Sequence, residues 1–145
     1  MDLQKNMSYI ITLANADAGG RLINAIWEKE CFGRKNWYVI PSLGVVRYLS
    51  AVKYAKAVVG NSSSGLIEAP ALGTPTINIG SRQKGRMQAK SVVTWVPIAD
   101  EIKSAFIKVL SNDFRLVMHA QVLHFGKGDT SRGIYEKILV FLENN

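Results

Sequence analysis

Cysteine occurs once in the 145 residues, at Cys31, so no disulfide can form within the chain, which suits a reducing compartment. Histidine occurs twice, at His119 and His124, and no group of Cys, His, Asp and Glu has the spacing of a zinc site. No apolar stretch approaches the roughly 18 residues that a membrane-spanning helix needs. The N-terminus, Met1-Asp2-Leu3-Gln4-Lys5-Asn6, lacks the basic start and apolar run of a secretory signal, and a cytoplasmic location is expected. Long Lys/Arg runs and interleaved aromatic–basic stretches are also missing. Their absence argues against nucleic-acid binding despite a formal net charge of +7.

What is present is a chain of 48% hydrophobic residues, enough for one core and consistent with a single domain over 1–145. The cations are mostly mixed with carboxylates. The exception is Ser81 to Lys90, where Arg82, Lys84, Arg86 and Lys90 stand without an acid. Apolar runs at Tyr9–Leu13, Trp37–Ile40, Lys56–Gly60, Pro75–Ile79 and Val92–Ile98 read as strands. Stretches of helical spacing cover Arg21–Glu30, Val45–Ala55, Ser64–Leu72, Phe114–Gln121 and Thr130–Leu142, with a further helix marked by Ile102, Phe106 and Leu110. The last of these carries Ile134, Ile138 and Phe141 on one face. Such alternation predicts an α/β fold: a Rossmann-like parallel sheet with helices on both faces.

The most informative segment is Val58-Val59-Gly60-Asn61-Ser62-Ser63-Ser64-Gly65-Leu66-Ile67-Glu68-Ala69-Pro70. A strand passes through a turn of small residues into a helix. The unpaired N–H groups and dipole of a helix start suit a phosphate, and a carboxylate one turn in suits the hydroxyls of a ribose. Three polar loops, Asn15–Gly20, Asn61–Gly65 and Gly80–Arg86, each follow a strand. Ligands of parallel sheets sit at the carboxyl ends of the strands, so these loops are expected to meet at one edge.

Several segments together resemble the hydrolysing UDP-N-acetylglucosamine 2-epimerases: Gly60 to Pro70, Gly73-Thr74-Pro75-Thr76-Ile77-Asn78-Ile79-Gly80, Arg82-Gln83-Lys84-Gly85-Arg86, Ala14 to Arg21, and Ser42-Leu43-Gly44 with Arg47-Tyr48-Leu49-Ser50. The matches run in order from about residue 14 to residue 90. The resemblance implies the C-terminal half of a two-domain GT-B architecture, with UDP-sugar held between two Rossmann-like halves. The implied reaction eliminates UDP to a glycal and adds water at the anomeric carbon, in the sialic-acid pathway. The acids and histidine credited with that chemistry in the family belong to the other half, so no catalytic residue is assigned to this chain. A relative acting on a bacillosamine-type UDP-sugar and a nucleotide-binding module without turnover are the alternatives. The implied partners are UDP or a UDP-sugar, a complementary N-terminal half and, for the full-length family, further copies. No metal or organic cofactor is expected.

The resemblance also assigns residues. Ser62 and Ser63 match phosphate-contacting serines, with helix capping as the alternative. Glu68 matches the ribose-binding acid, the alternative being stabilisation of the helix start. Arg82 matches a phosphate-gripping arginine, and its fork suits that role. Lys84 and Arg86 raise the local potential. Asn15 matches an asparagine at the UDP site, or else closes its loop as an Asx turn. Leu43 lies where the family reads the uracil edge through backbone groups, with loop packing as the competing role. Gly65 either admits the ligand to the backbone or eases the turn. Asp17 reads as a turn former rather than an acid catalyst, and Cys31 as a buried helix residue. The chain departs from the family at Phe125-Gly126-Lys127-Gly128, where an aspartate is usual in place of Lys127.

Overall fold

Two parallel ladders organise the chain. In the first, β1 (Tyr9–Thr12) pairs with β2 (Trp37–Ile40), Tyr9 opposite Trp37 and Ile11 opposite Val39. The helix between them is α1 (Ala18–Cys31), and α2 (Gly44–Tyr54) follows β2. In the second, β3 (Val58–Gly60), β4 (Thr76–Ile79) and β5 (Val92–Trp95) lie side by side in chain order, all parallel. Here α3 (Ser64–Ala71) connects β3 to β4, and α4 (Ala99–Val109), α5 (Asn112–His119) and α6 (Thr130–Glu143) follow β5. The computed structural model describes residues 7–15, 18–119 and 128–144. Asp17, the His119 side chain, His124, Phe125, Gly126 and Lys127, all weighed above, lie outside the described residues. The chain divides into two compact units, Met1–Ala51 and Val52–Asn145.

In the first unit the alternation of the strands decides which residues are covered. Tyr9 and Trp37 stack at 4.7 Å between ring centres, and Trp27 of α1 lies 6.1 Å from Trp37. The Arg34 guanidinium caps Trp37 at 4.9 Å. On the opposite face of this two-stranded sheet Ile10 is 53% exposed, so among the described residues the ladder is packed on the Tyr9–Trp37 side. Cys31 closes α1 and is buried, and burial pushes its thiol pKa up, with Arg34 opposing and Glu30 reinforcing. A protonated, buried thiol is a packing residue and not a nucleophile.

The second unit has helices on both faces of its sheet. Ile77 and Val93 point to one face and form the core with Ala105 and Val109 of α4 and Phe114 of α5. Thr76 points to the other face, under α3. A Cβ placed on Gly65 would stand 2.7 Å from the Thr76 methyl, so α3 reaches this depth because residue 65 has no side chain. The glycine is therefore required by helix–strand packing. The C-terminal end of α3 is equally specific. Gly73 takes φ +74°, its N–H donates to the Pro70 carbonyl over 3.1 Å, and Thr74 N–H donates to the Ala69 carbonyl over 2.9 Å. This pair of bonds is a Schellman stop, and glycine tolerates the left-handed residue within it. Thr74 then donates its hydroxyl to the Val52 carbonyl over 2.8 Å, inside the protein.

Two elements differ from the sequence reading. The strand over Val92–Ile98 ends at Trp95, because Pro97 follows and Ile98 N–H turns back to the Val96 carbonyl over 2.8 Å. In α6 no residue is buried, and Ile134, Ile138 and Phe141 stay exposed along one stripe. Among the described residues no helix is long and apolar enough to cross a membrane.

The Gly65 contact generates a stability prediction. Gly65→Ala places a methyl against a buried threonine and is expected to destabilise the fold by about 1–3 kcal/mol, measured by urea denaturation. Pairing it with Thr76→Ser, which removes the clashing methyl, is expected to recover part of the loss. Equal stability of Gly65→Ala and the parent protein would contradict the packing account.

Candidate functional site

The candidate site of the second unit follows from strand direction. β3 and β4 are parallel and Gly60 lies opposite Asn78, so both strands deliver their carboxyl ends to one edge. The chain leaves β3 as Asn61-Ser62-Ser63 and enters α3 at Ser64. It leaves β4 at Gly80 and crosses to β5 through residues 80–91, a link in which no helix forms. The serine turn and the basic loop are thus neighbours by topology, and two hydrogen bonds join them. Gln83 Nε2 donates to the Asn61 carbonyl over 2.7 Å, and Arg82 Nη1 reaches Asn61 Oδ1 at 3.4 Å. Within the loop, Lys84 N–H donates to the Ser81 carbonyl and Arg86 N–H to the Gln83 carbonyl. Arg82, Lys84 and Arg86 are exposed, and none of them has a carboxylate partner among the described residues.

The serines divide their work. Ser62 Oγ accepts the Ser64 N–H at the long distance of 3.4 Å, and the Ser62 carbonyl accepts Gly65 N–H at 3.2 Å. Ser63 is the residue that caps α3, with its carbonyl accepting Leu66 and Ile67 N–H, yet its side chain makes no cap hydrogen bond. The capping alternative for the Ser63 hydroxyl therefore does not apply. One turn further in, Glu68 is half-buried, and its Oε2 is buried without a hydrogen-bond partner among the described residues. A polar oxygen removed from water and left unpaired is costly, and such atoms mark places where a donor is missing.

Asn15 and Leu43 belong to the first unit. Asn15 follows β1 and Leu43 follows β2, so both stand at the carboxyl edge of that ladder. Asn15 is exposed, and the residue that an Asx turn would engage, Asp17, lies outside the described residues. What holds this loop is Asn24 of α1, which sequence reasoning passed over. Its Oδ1 accepts Ala14 N–H at 2.8 Å and its Nδ2 donates to the Ala14 carbonyl at 3.1 Å. Leu43 is half-buried, beside a Ser42 hydroxyl that accepts the Gly44 N–H at 3.3 Å. The predicted residues are therefore collected into two groups: Ser62, Ser63, Glu68 and Arg82 in one unit, Asn15 and Leu43 in the other.

A second omission is Gln83, 3% exposed between two exposed cations. Asn78 is a third. It is 1% exposed, donates to Thr94 Oγ1 at 3.1 Å and leaves its Oδ1 without a partner among the described residues, while Thr94 passes a bond of 3.1 Å to Gln88 of the basic loop. Asn78 is an amide inside an otherwise apolar strand, whereas Gln83 lies in the loop and nothing in its local sequence sets it apart. Among the described residues no cluster of His, Cys, Asp and Glu is suited to a metal.

Comparison with known proteins gives a consistent result. Residues 1–139 match the UDP-N-acetylglucosamine 2-epimerase family. The chain is 43% identical over 118 residues to the GDP/UDP-N,N'-diacetylbacillosamine 2-epimerase (hydrolyzing) of Campylobacter jejuni, covering 79% of this chain and 30% of that protein. It is 44% identical over 90 residues to the polysialic acid biosynthesis protein P7 of Escherichia coli, covering 62% of this chain and 22% of that protein. It is 45% identical over 79 residues to the UDP-N-acetylglucosamine 2-epimerase of Neisseria meningitidis, covering 54% of this chain and 20% of that protein. The chain thus spans about a third or less of the length of these relatives.

Because the Ser63 side chain makes no cap bond, Ser63→Ala is expected to change unfolding stability by less than about 0.5 kcal/mol, where loss of a true side-chain cap costs about 1 kcal/mol. A urea titration of the two proteins reads the difference.

Proposed function

This chain belongs to the UDP-N-acetylglucosamine 2-epimerase family, and from that premise and the geometry of its second unit we propose that it is the UDP-holding part of a hydrolysing 2-epimerase. The observation that carries the reading is the Glu68 oxygen one turn inside α3, buried and without a partner among the described residues, in the same unit as the serine turn that Arg82 reaches through Asn61. A ribose hydroxyl supplies the donor that this oxygen lacks, and the neighbouring hydroxyl of the diol can meet the other carboxylate oxygen. The diphosphate lies at the start of α3, where the Ser62 and Ser63 hydroxyls and the helix dipole meet it. Arg82 closes over it with a fork that fits two phosphate oxygens.

The chemical consequence is leaving-group stabilisation. In the elimination, a proton leaves C2 of the sugar, the C1–oxygen bond breaks, and the electron pair departs on the diphosphate of UDP. Positive groups fixed before the reaction stabilise that developing charge more than they stabilise the bound sugar nucleotide, and so they accelerate the step. Water then adds across the C1–C2 double bond, its hydroxyl at C1 and a proton at C2 with the configuration there inverted, and gives the N-acetylmannosamine product. The groups that move the C2 proton come from polypeptide beyond this chain, a complementary N-terminal half. The pathway is the one that makes sialic acid or a related nonulosonate, and the protein works in the cytoplasm.

A second substrate reading, a bacillosamine-type UDP-sugar, is favoured by one observation: the match to the Campylobacter jejuni diacetylbacillosamine enzyme covers 79% of this chain, against 54% for the Neisseria meningitidis enzyme. The two readings share the nucleotide and differ at the sugar.

Isothermal titration with UDP tests the proposal. UDP is expected to bind, and at 100 times its Kd to stabilise the fold by about 2.7 kcal/mol. Glu68→Gln is expected to weaken binding about 10- to 100-fold while leaving the unliganded protein about as stable as before, since the amide keeps the shape of the half-buried side chain. Arg82→Ala is expected to cost about tenfold in UDP affinity, and less for uridine. Absence of UDP binding by folded protein would remove the proposal.

A further inference from the structure

Something must hold the basic loop in place, because the link from β4 to β5 carries four cations and forms no helix. Within its first part, residues 81–87, Gln83 is the residue that turns inward. It is 3% exposed, although Arg82 and Lys84 on either side are exposed. Its Nε2 donates to the Asn61 carbonyl over 2.7 Å, the shorter of the two bonds between the loop and the serine turn. Its own carbonyl accepts the Arg86 N–H at 3.2 Å, so the turn that follows is built on it as well. Gln83 Oε1 is buried and has no partner among the described residues. Burying a long amide with half its capacity unused is a poor choice for stability alone, since an apolar side chain of equal size carries no such penalty. A directional donor is needed where a loop must be fixed against one carbonyl.

We propose that Gln83 is a positioning residue for Arg82. By pinning the loop to Asn61 it keeps the Arg82 guanidinium beside the Ser62–Ser63 turn, and so it sets affinity for a nucleoside diphosphate without touching the ligand. This inference rests on the UDP reading given above. Its physical basis is preorganisation: a cation already held at the site loses less conformational freedom when the anion arrives.

The test uses the whole 145-residue chain. Gln83→Met keeps side-chain length and removes the amide. It is expected to weaken UDP about tenfold and uridine by less than about twofold, because the lost bond acts through the diphosphate contact. In an Arg82→Ala background the same substitution is expected to change UDP affinity by less than about twofold, the signature of two residues acting as one. Without ligand, trypsin is expected to cut Gln83→Met after Arg82, Lys84 and Arg86 about tenfold faster than the parent, with an unchanged urea midpoint, because the loop opens locally more often. UDP affinity equal to the parent's, losses that simply add, or unchanged tryptic cutting would each overturn the proposal. If the parent itself binds no UDP, the functional reading and the affinity role both fall, and the tryptic comparison still decides whether Gln83 pins the loop. Should Gln83→Met not fold by circular dichroism, Gln83→Glu sets a carboxylate against the Asn61 carbonyl, and the same readouts apply.

Discussion

Parallel pairing of β3 with β4 is the constraint on which the rest of the second unit depends. Because Gly60 lies opposite Asn78, the turn after β3 and the loop after β4 must leave from the same edge. Asn61 can then receive both Gln83 and Arg82. The depth of α3 is fixed by a different contact, the bare Gly65 backbone over the Thr76 methyl. Together the ladder and this contact place the helix start, the serines and the cationic loop relative to one another, before any ligand contributes.

The two faces of that sheet do different work. One is apolar, with Ile77 and Val93 packed on Ala105, Val109 and Phe114, and it supplies the hydrophobic stabilisation of the unit. The other carries buried polar side chains at Thr76 and Asn78, and the polar chain runs on through Thr94 to Gln88. Placing polar groups under α3 sacrifices apolar burial on that side. In return, directional bonds hold the loops that a hydrophobic contact would leave free to slide.

Much of this was legible in the sequence because the signals are local. Gly73 marks the end of α3 through its own backbone freedom, and the Ser62–Ser63–Ser64 turn between a Val-Val strand and an apolar helix announces itself within a dozen residues. The alternation of strands and helices gave the parallel sheets. Gln83, Asn24 and Asn78 were not legible, because their importance comes from partners 22, 10 and 16 residues away. The role of Gly65 was read at the level of the turn, whereas its cause is a strand that comes later in the chain. The exposed stripe of Ile134, Ile138 and Phe141 shows the same limit from the other side. Helical spacing identifies an apolar face, but what covers it is set elsewhere.

Residues 80–91 serve at once as the crossover between two strands and as the carrier of the cations. The segment is tied down along its length: Gly80 N–H on the Trp95 carbonyl at 2.9 Å, Arg82 and Gln83 on Asn61, Gln88 on Thr94, and the Ser91 carbonyl on Thr76 N–H at 2.9 Å. Each anchor lies in a strand or in the residue that follows one, so inserting or deleting one residue between any two of them would shift every later side chain out of register with its anchor. Drift in this segment across descendants of the same ancestor should accordingly run through amino-acid replacement at constant length, in contrast to ordinary surface loops, which absorb indels freely.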